Sequence, residues 1–378
     1  MRLQYRFSIF LFLVINCLFI TKYVSRVGTL YVIPVLIVYV LLIFWLIHLY
    51  HKTYKRLANY KKLLKGVMIL SLFVLVLLQF NINPYHLNVD RWSAIHNFLS
   101  NLFSGIYPYS AQTHLGGYGS PFPIWQLFHI PFYWLGNVGL SFVVAVFLFT
   151  DSLRRLYSFQ HAFFCFVLLL MSPAFLYEVC VRSDLMTNFL ICAAIIMYFR
   201  YYHISLNNNT LLVGLTIGLM ASTRLSAVIP FAVYFLYEFM NIENPQKVKL
   251  VLVIASVFSF TFLPLLLWNG KMLLFFEYNP FILQSRQGHL LDFLLFIPIG
   301  IWLALTWKNS FRKYSLYTAV LLVLLVAVTF IHNMCLNHNF SQLFESAYDI
   351  TYFCMALPFV IISLTKAIDK KECPSTLL

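Results

Sequence analysis

Asp90 stands in Asn88-Val89-Asp90-Arg91-Trp92-Ser93, at the head of a segment where Val89, Trp92, Ile95, Leu99 and Leu102 recur at helical spacing. Two chemistries are open to a carboxylate there. It can act as a general base that takes a proton from an attacking hydroxyl, or as an oxygen ligand for a divalent cation. A plain structural use competes with both: an acid in a first helical turn, favoured by the dipole, with Asn88 as cap. Arg224 lies in Ala221-Ser222-Thr223-Arg224-Leu225, between two short apolar halves. Its planar fork of donors suits a phosphate, and a buried Arg without a partner is costly. Snorkelling to an interface is the alternative. In Val181-Arg182-Ser183-Asp184 the two charges either pair with each other or serve a site. Lys271, Gln284 and Arg286, around Asn279-Pro280-Phe281, are further candidates, the two cations for a phosphate.

Between these positions runs Gly105-Ile106-Tyr107-Pro108-Tyr109, then Thr113-His114-Leu115-Gly116-Gly117-Tyr118-Gly119-Ser120-Pro121-Phe122-Pro123. Glycine and proline make this backbone turn-rich, and Tyr107, Tyr109 and His114 give it aromatic and polar surface. Aromatic faces suit sugar rings; an aromatic belt at lipid headgroups is the other reading. His332 and His338 are six apart and no H-x-x-x-H or H-E-x-x-H occurs, which speaks against zinc. No Walker loop or Rossmann fingerprint is present, which speaks against direct nucleotide use. Cys17, Cys165, Cys180, Cys192, Cys335, Cys354 and Cys373 form no C-x-x-C pair and read as small core residues.

The frame that must position these residues is set by composition. Of 378 residues, 61% are hydrophobic and only 10% charged, against about 25% charged in soluble domains. A soluble globular enzyme, a disordered chain and a disulfide scaffold are all excluded, and the bilayer is the solvent that remains. The net charge of +14 sits in short clusters, with no continuous basic face for a nucleic acid. Apolar runs near span length fall at 7–21, 30–49, 66–80, 123–150, 161–176, 185–199, 250–268, 291–307, 315–331 and 349–365. Residues 210–240 read as a helical hairpin bent at Ser222-Thr223-Arg224. The first run lacks a small-residue cleavage site and reads as a retained helix. The expected fold is an all-α polytopic bundle of about 10–12 spans, with an amphipathic helix on the membrane surface in the first large loop.

With the N-terminus in the cytoplasm, only Lys22, Arg26, Arg91, Arg182, Arg224, Lys271 and Arg286 of the 26 basic residues fall outside. That asymmetry supports the orientation. Asp90, Glu178, Asp184, Glu277, Asp292, Glu345 and Asp349, seven of the twelve acids, gather toward the outer face. The longest outer loop, 81–122, is where a site is expected, because loops on a rigid frame carry function. Two units are read: an N-terminal hairpin, 1–50, and a main module, 51–378.

Taken in order, Val-Asp-Arg-Trp at 89–92, the helix after it, Gly-Ile-Tyr-Pro-Tyr at 105–109, Ser-Pro-Phe-Pro at 120–123, Val-Arg-Ser-Asp at 181–184, Ser-Thr-Arg at 222–224 and Asn-Pro-Phe at 279–281 resemble the GT-C glycosyltransferases, the bacterial mannosyltransferase-like membrane proteins among them. The resemblance covers about residues 66–365, and the order of the motifs carries it. It implies an extracytoplasmic site facing the periplasm of a bacterial inner membrane. It implies a polyprenyl-phosphate sugar donor, a glycan or lipid acceptor and usually inversion at the sugar carbon. Asp90 matches the first-loop acid that serves as base. Arg224, Arg182 and Arg286 fall to the donor phosphate, and Arg91, Tyr107, Tyr109, His114, Asp184 and Gln284 to the substrates. Some members need a divalent cation, Mg or Mn; this chain has one Asp in the first loop where others have an acidic pair. The N-terminal hairpin is a second departure.

Three rivals remain at this level. A transporter or lipid flippase predicts midplane charges and repeated halves. Another membrane transferase predicts a His-centred site, for which His96 or His114 would serve. In a non-catalytic anchoring protein, Asp90 and Arg224 would be dispensable.

Overall fold

Apolar residues at helical period, punctuated by proline, serine and asparagine, build helices throughout the computed structural model. It describes residues 2–286, 288, 290–307, 310–339, 341 and 349–365; Lys308, Glu345, Lys366, Lys370, Lys371 and Cys373 lie outside these. No strand occurs among the described residues, and the one β-bridge joins Gln112 to Tyr118.

The N-terminal third comprises α1 (Arg2–Val24), α2 (Val32–Leu57), α3 (Lys61–Asn81) and α4 (Arg91–Phe103). Phe12, Ile15 and Phe19 of α1 are fully buried in the common core. Asn16, also buried, accepts hydrogen bonds from Ser172 Oγ at 2.5 Å and Ala174 N at 3.3 Å. Residues 1–50 therefore share one core with the rest of the chain. The limbs of the α2–α3 hairpin run in opposite directions. Tyr50 stacks on Phe164 and Tyr54 reaches His161, whereas Lys61 lies over Phe159 and Gln79 donates to Val179 O. On α4, Trp92, Ile95 and Leu99 are buried, as their spacing predicts. They pack on the short helices that follow, which is how the apolar face of α4 is covered. A Schellman motif ends α4: Gly105 takes φ +70°, Ile106 N bonds Asn101 O and Gly105 N bonds Leu102 O.

The middle of the chain is more broken than its hydropathy suggests. Residues 123–150 form α5 (Pro123–Phe128), α6 (Ile130–Trp134) and the start of α7 (Ser141–Leu156). Pro131 sits in the first turn of α6, and the chain turns at Gly136 before Asn137 Oδ1 accepts from Gly139 N. Residues 161–176 split into α8 (Phe159–Leu170) and α9 (Pro173–Cys180), bent by 69°. Pro173 cannot continue α8, and Ser172 Oγ caps α9 by accepting from Phe175 N. Beyond lie α10 (Leu185–Tyr201), α11 (Leu206–Ala221), α12 (Val228–Asn241), α13 (Asn244–Leu274), α14 (Pro280–Ser285), α15 (Leu290–Thr306), α16 (Phe311–Leu336) and α17 (Leu357–Ser363).

Among the described residues, Leu3–Val24, Thr29–Asn81, Asn244–Leu274 and Phe311–Leu336 are long and apolar enough to cross a membrane, with the α8–α9 pair a fifth. These helices are compatible with a multi-pass membrane protein. Fewer than the ten runs expected from hydropathy reach span length unbroken, because prolines and polar turns cut several short, and Thr29–Asn81 alone holds two of those runs, 30–49 and 66–80, in α2 and α3. Apolar runs also conceal two environments. Helix α10 is buried almost all round, from Leu185 to Phe199, and α17 wholly so. Helices α2, α3, α13 and α15 instead expose Leu41, Ile69, Leu252, Leu267 and Trp302, as lipid-facing helices do. Helix α11 packs closely on α13 through Gly214 and Gly218. A Cβ on Gly218 would come within 2.8 Å of Val257 Cβ.

Candidate functional site

Four of the motifs meet in space. Phe122 N bonds Thr223 O and Ile124 N bonds Ser222 O, both at 3.1 Å, so the 120–123 segment pins the α11–α12 turn. Gln284 ties a third segment to both: its Oε1 accepts from Leu225 N at 2.8 Å, and its Nε2 donates to Ser120 O at 2.9 Å. Phe281 packs on Phe122, with ring centroids 5.2 Å apart. The fourth enters through Asp184, whose Oδ2 accepts from Trp125 Nε1 at 2.5 Å and from Arg224 Nη2 at 2.6 Å.

Around this junction lie two cavities of opposite character. The first, about 530 Å³, is polar and is lined by Lys22, Arg26, Asn88, Asp90, Arg91, Tyr23, Tyr177 and Asp349, among others. Asp90 is half-buried at the head of α4. Thr113 Oγ1 donates to its Oδ2 at 2.8 Å and itself accepts from Gly117 N at 3.0 Å. The turn fits closely: a Cβ on Gly117 would lie 3.1 Å from Asp90 Oδ2. The second cavity, about 500 Å³, has Arg224 and Gln284 at one end and Val228, Ile229, Phe293 and Leu325 along its sides. It shares Ile229, Ala232, Phe293 and Leu325 with an apolar groove of about 390 Å³ between α12, α15 and α16. The groove opens on the flank of the molecule, where Phe293, Ile297 and Ile301 are exposed.

A half-buried charge pair lies where the two spaces meet. Arg91 Nη2 bonds Asp349 Oδ2 at 2.5 Å, and its guanidinium lies 5.1 Å from the ring of Tyr352. Asp349 lines the polar cavity and Tyr352 the apolar one. Burial works against the charge on Arg91, but Asp349, then Tyr352, Glu178 and Asp184, hold it protonated. Burial likewise opposes ionisation of Asp349 and Asp184. Arg91 with Thr351, and Arg224 with Arg91, outweigh it and hold both carboxyls below the usual range. Both are therefore fixed anions, each matched by a guanidinium. Among the described residues Asp90 has no ion pair.

The remaining candidates divide by what already holds them. Arg224 is buried, and its partner is Asp184 where a ligand phosphate was expected; its Nε is buried without a hydrogen bond. Arg182 does not pair with Asp184, the pairing adjacency allows: its Nη2 donates to Gln79 O and Ile82 O, at the end of α3. Tyr109 is buried, its hydroxyl donating to Pro121 O at 2.9 Å. His114 is fixed by Ser93 Oγ at 2.8 Å and Leu87 O at 3.2 Å. The Tyr107 ring meets Trp268 edge-on at 6.0 Å, and its hydroxyl is buried without a partner. Arg286 is exposed, next to Ser285 of the second cavity. No three His, Cys, Asp or Glu side chains converge as metal ligands among the described residues.

Three contributors were not among the expected site residues: Asp349, Lys22 and Arg26. Asp349 lies 258 residues from Arg91 along the chain, with no local pattern to join them. Lys22 and Arg26 had a signal, as cations at the same end of the apolar runs as Asp90. Comparison with protein-family models, curated proteins and solved structures finds no match.

Proposed function

We propose that the chain is a membrane glycosyltransferase that moves a sugar from a polyprenyl-phosphate donor to an acceptor on the extracytoplasmic face. The apolar groove takes the lipid chain and brings its phosphate to Arg224, whose guanidinium has donors beyond the one given to Asp184. The acceptor lies in the polar cavity with a hydroxyl on Asp90. The carboxylate removes that proton as the oxygen attacks the anomeric carbon, the bond to the phosphate oxygen breaks, and Arg224 stabilises the charge left there. Attack from the side opposite the leaving phosphate inverts the sugar carbon.

One observation carries this reading: Asp90, with no ion pair among the described residues, faces a polar cavity that meets, at Arg91 and Tyr352, a second cavity holding the buried Arg224 and sharing its lining with an apolar groove. The test is sugar transfer in purified membranes with a panel of polyprenyl-phosphate sugars, with and without chelator. Wild type releases free polyprenyl phosphate, and Asp90→Asn lowers this by about 10²-fold or more at equal membrane content. Equal turnover by Asp90→Asn removes Asp90 as base. No donor consumption in any arm removes the transferase reading and favours a transporter. Loss with chelator alone shows a metal requirement.

A further inference from the structure

We propose that the polar cavity binds a saccharide carrying an acid group, a carboxylate or a phosphate, and that the last turn of α1 and the residues after it select it. That this ligand is the acceptor rests on the glycosyl-transfer reading; that it binds does not.

The cavity wall holds three cations, Lys22, Arg26 and Arg91, and two carboxylates, Asp90 and Asp349. Arg91 and Asp349 answer each other at 2.5 Å. The five together carry one more positive charge than negative, and the exposed Arg26 stands on the same wall as the carboxylate assigned as base. Cations at a helix C-terminus have a bland explanation in the dipole. That explanation does not require that Arg26 line a cavity.

Arg26 is also oriented. Its guanidinium carbon lies 4.9 Å from the Tyr23 ring centroid, and Tyr23 stacks on Tyr177 at 4.4 Å. The stack holds the planar fork against the cavity, where it can take a carboxylate or phosphate in bidentate fashion. Tyr23 and Tyr177 line the same space, so a sugar ring can meet aromatic surface while its acid end meets Arg26. Asp90 repels an acid group placed beside it, so the ligand orients with its acid toward α1 and a hydroxyl toward Asp90.

The experiment uses the full chain in nanodiscs of neutral lipid at low salt, where charge contacts are least screened. Glucose, glucuronate and glucose 6-phosphate are titrated as probes. At least one anionic probe binds at least about tenfold more tightly than glucose, which is about 1.4 kcal/mol. The order of the two anions tells carboxylate from phosphate. Arg224 is a second anion site, so assignment rests on Arg26, which is exposed and can be replaced without emptying the core. Arg26→Gln abolishes the preference and Arg26→Lys keeps most of it. Equal binding of glucose and both anions overturns the proposal, as does a preference that survives Arg26→Gln. Donor turnover is measured in the same nanodiscs. Anion preference without turnover keeps this site and removes the transferase reading; turnover without anion preference does the reverse.

Discussion

The carboxylates of this site are told apart by their partners and not by their type. Asp184 and Asp349 each face a guanidinium and are fixed anions, while Asp90 is held by the Thr113 hydroxyl. The chain alone names all three as acids near one face. It cannot rank them, because the ranking depends on Arg91 meeting a residue 258 positions away and on Arg224 meeting one 40 away. The same gap explains Arg182: adjacency suggests Asp184 as its partner, but its positive φ of 55° accompanies a turn that sends the guanidinium to α3. Arg224→Met leaves Asp184 buried without its cation and lowers stability by about 3–5 kcal/mol. Adding Asp184→Asn recovers most of that loss. Thermal unfolding of the four proteins in detergent gives the coupling directly, and additive losses would show that the pair is not coupled.

Helices were more legible than spans. The α4 stripe, the break at Gly105 and the bend at Ser222-Thr223-Arg224 all follow from residue types whose effect is local. Span number does not, since α10 and α17 are as apolar as the helices with exposed apolar faces yet lie inside the protein. Nor does hydropathy register that Pro131 and Pro173 interrupt otherwise continuous runs. One element-level signal went unread: Gly214-Leu215-Thr216-Ile217-Gly218 is a G-x-x-x-G, and it marks the close contact of α11 with α13. Gly218→Leu drives a side chain into Val257 and the carbonyl of Ile254 and destabilises by about 1–3 kcal/mol. Leu219→Ala, one position along on an exposed face, changes little. Unfolding midpoints of the two variants check this, and equal shifts would remove the packing argument.

At the scale of the molecule, the first helix, the 81–122 loop, the α11–α12 turn and the 349–352 segment are drawn to one end of a single core. The order of the motifs hinted at a common site, but that α1 belongs to it could be seen only once its side chains were packed. The groove between α12, α15 and α16 gives a prediction at this scale. Ala232 is exposed and lines both the groove and the Arg224 cavity, so on the proposed reading Ala232→Trp fills the path of the donor's lipid chain. KM for a long-chain donor rises at least about tenfold, equivalent to about 1.4 kcal/mol of lost packing. A donor shortened to a few isoprene units is unaffected, and an equal effect on both would place the chain elsewhere. On the proposed reading, in which the groove takes the donor's lipid chain, its sideways opening at Phe293, Ile297 and Ile301 makes every surrounding lipid tail a competitor for it. Saturation is then set by the donor's mole fraction among neighbouring lipids and not by its amount per volume of buffer. Diluting proteoliposomes in water should leave the rate per protein unchanged, while adding plain phospholipid to the same vesicles should lower it.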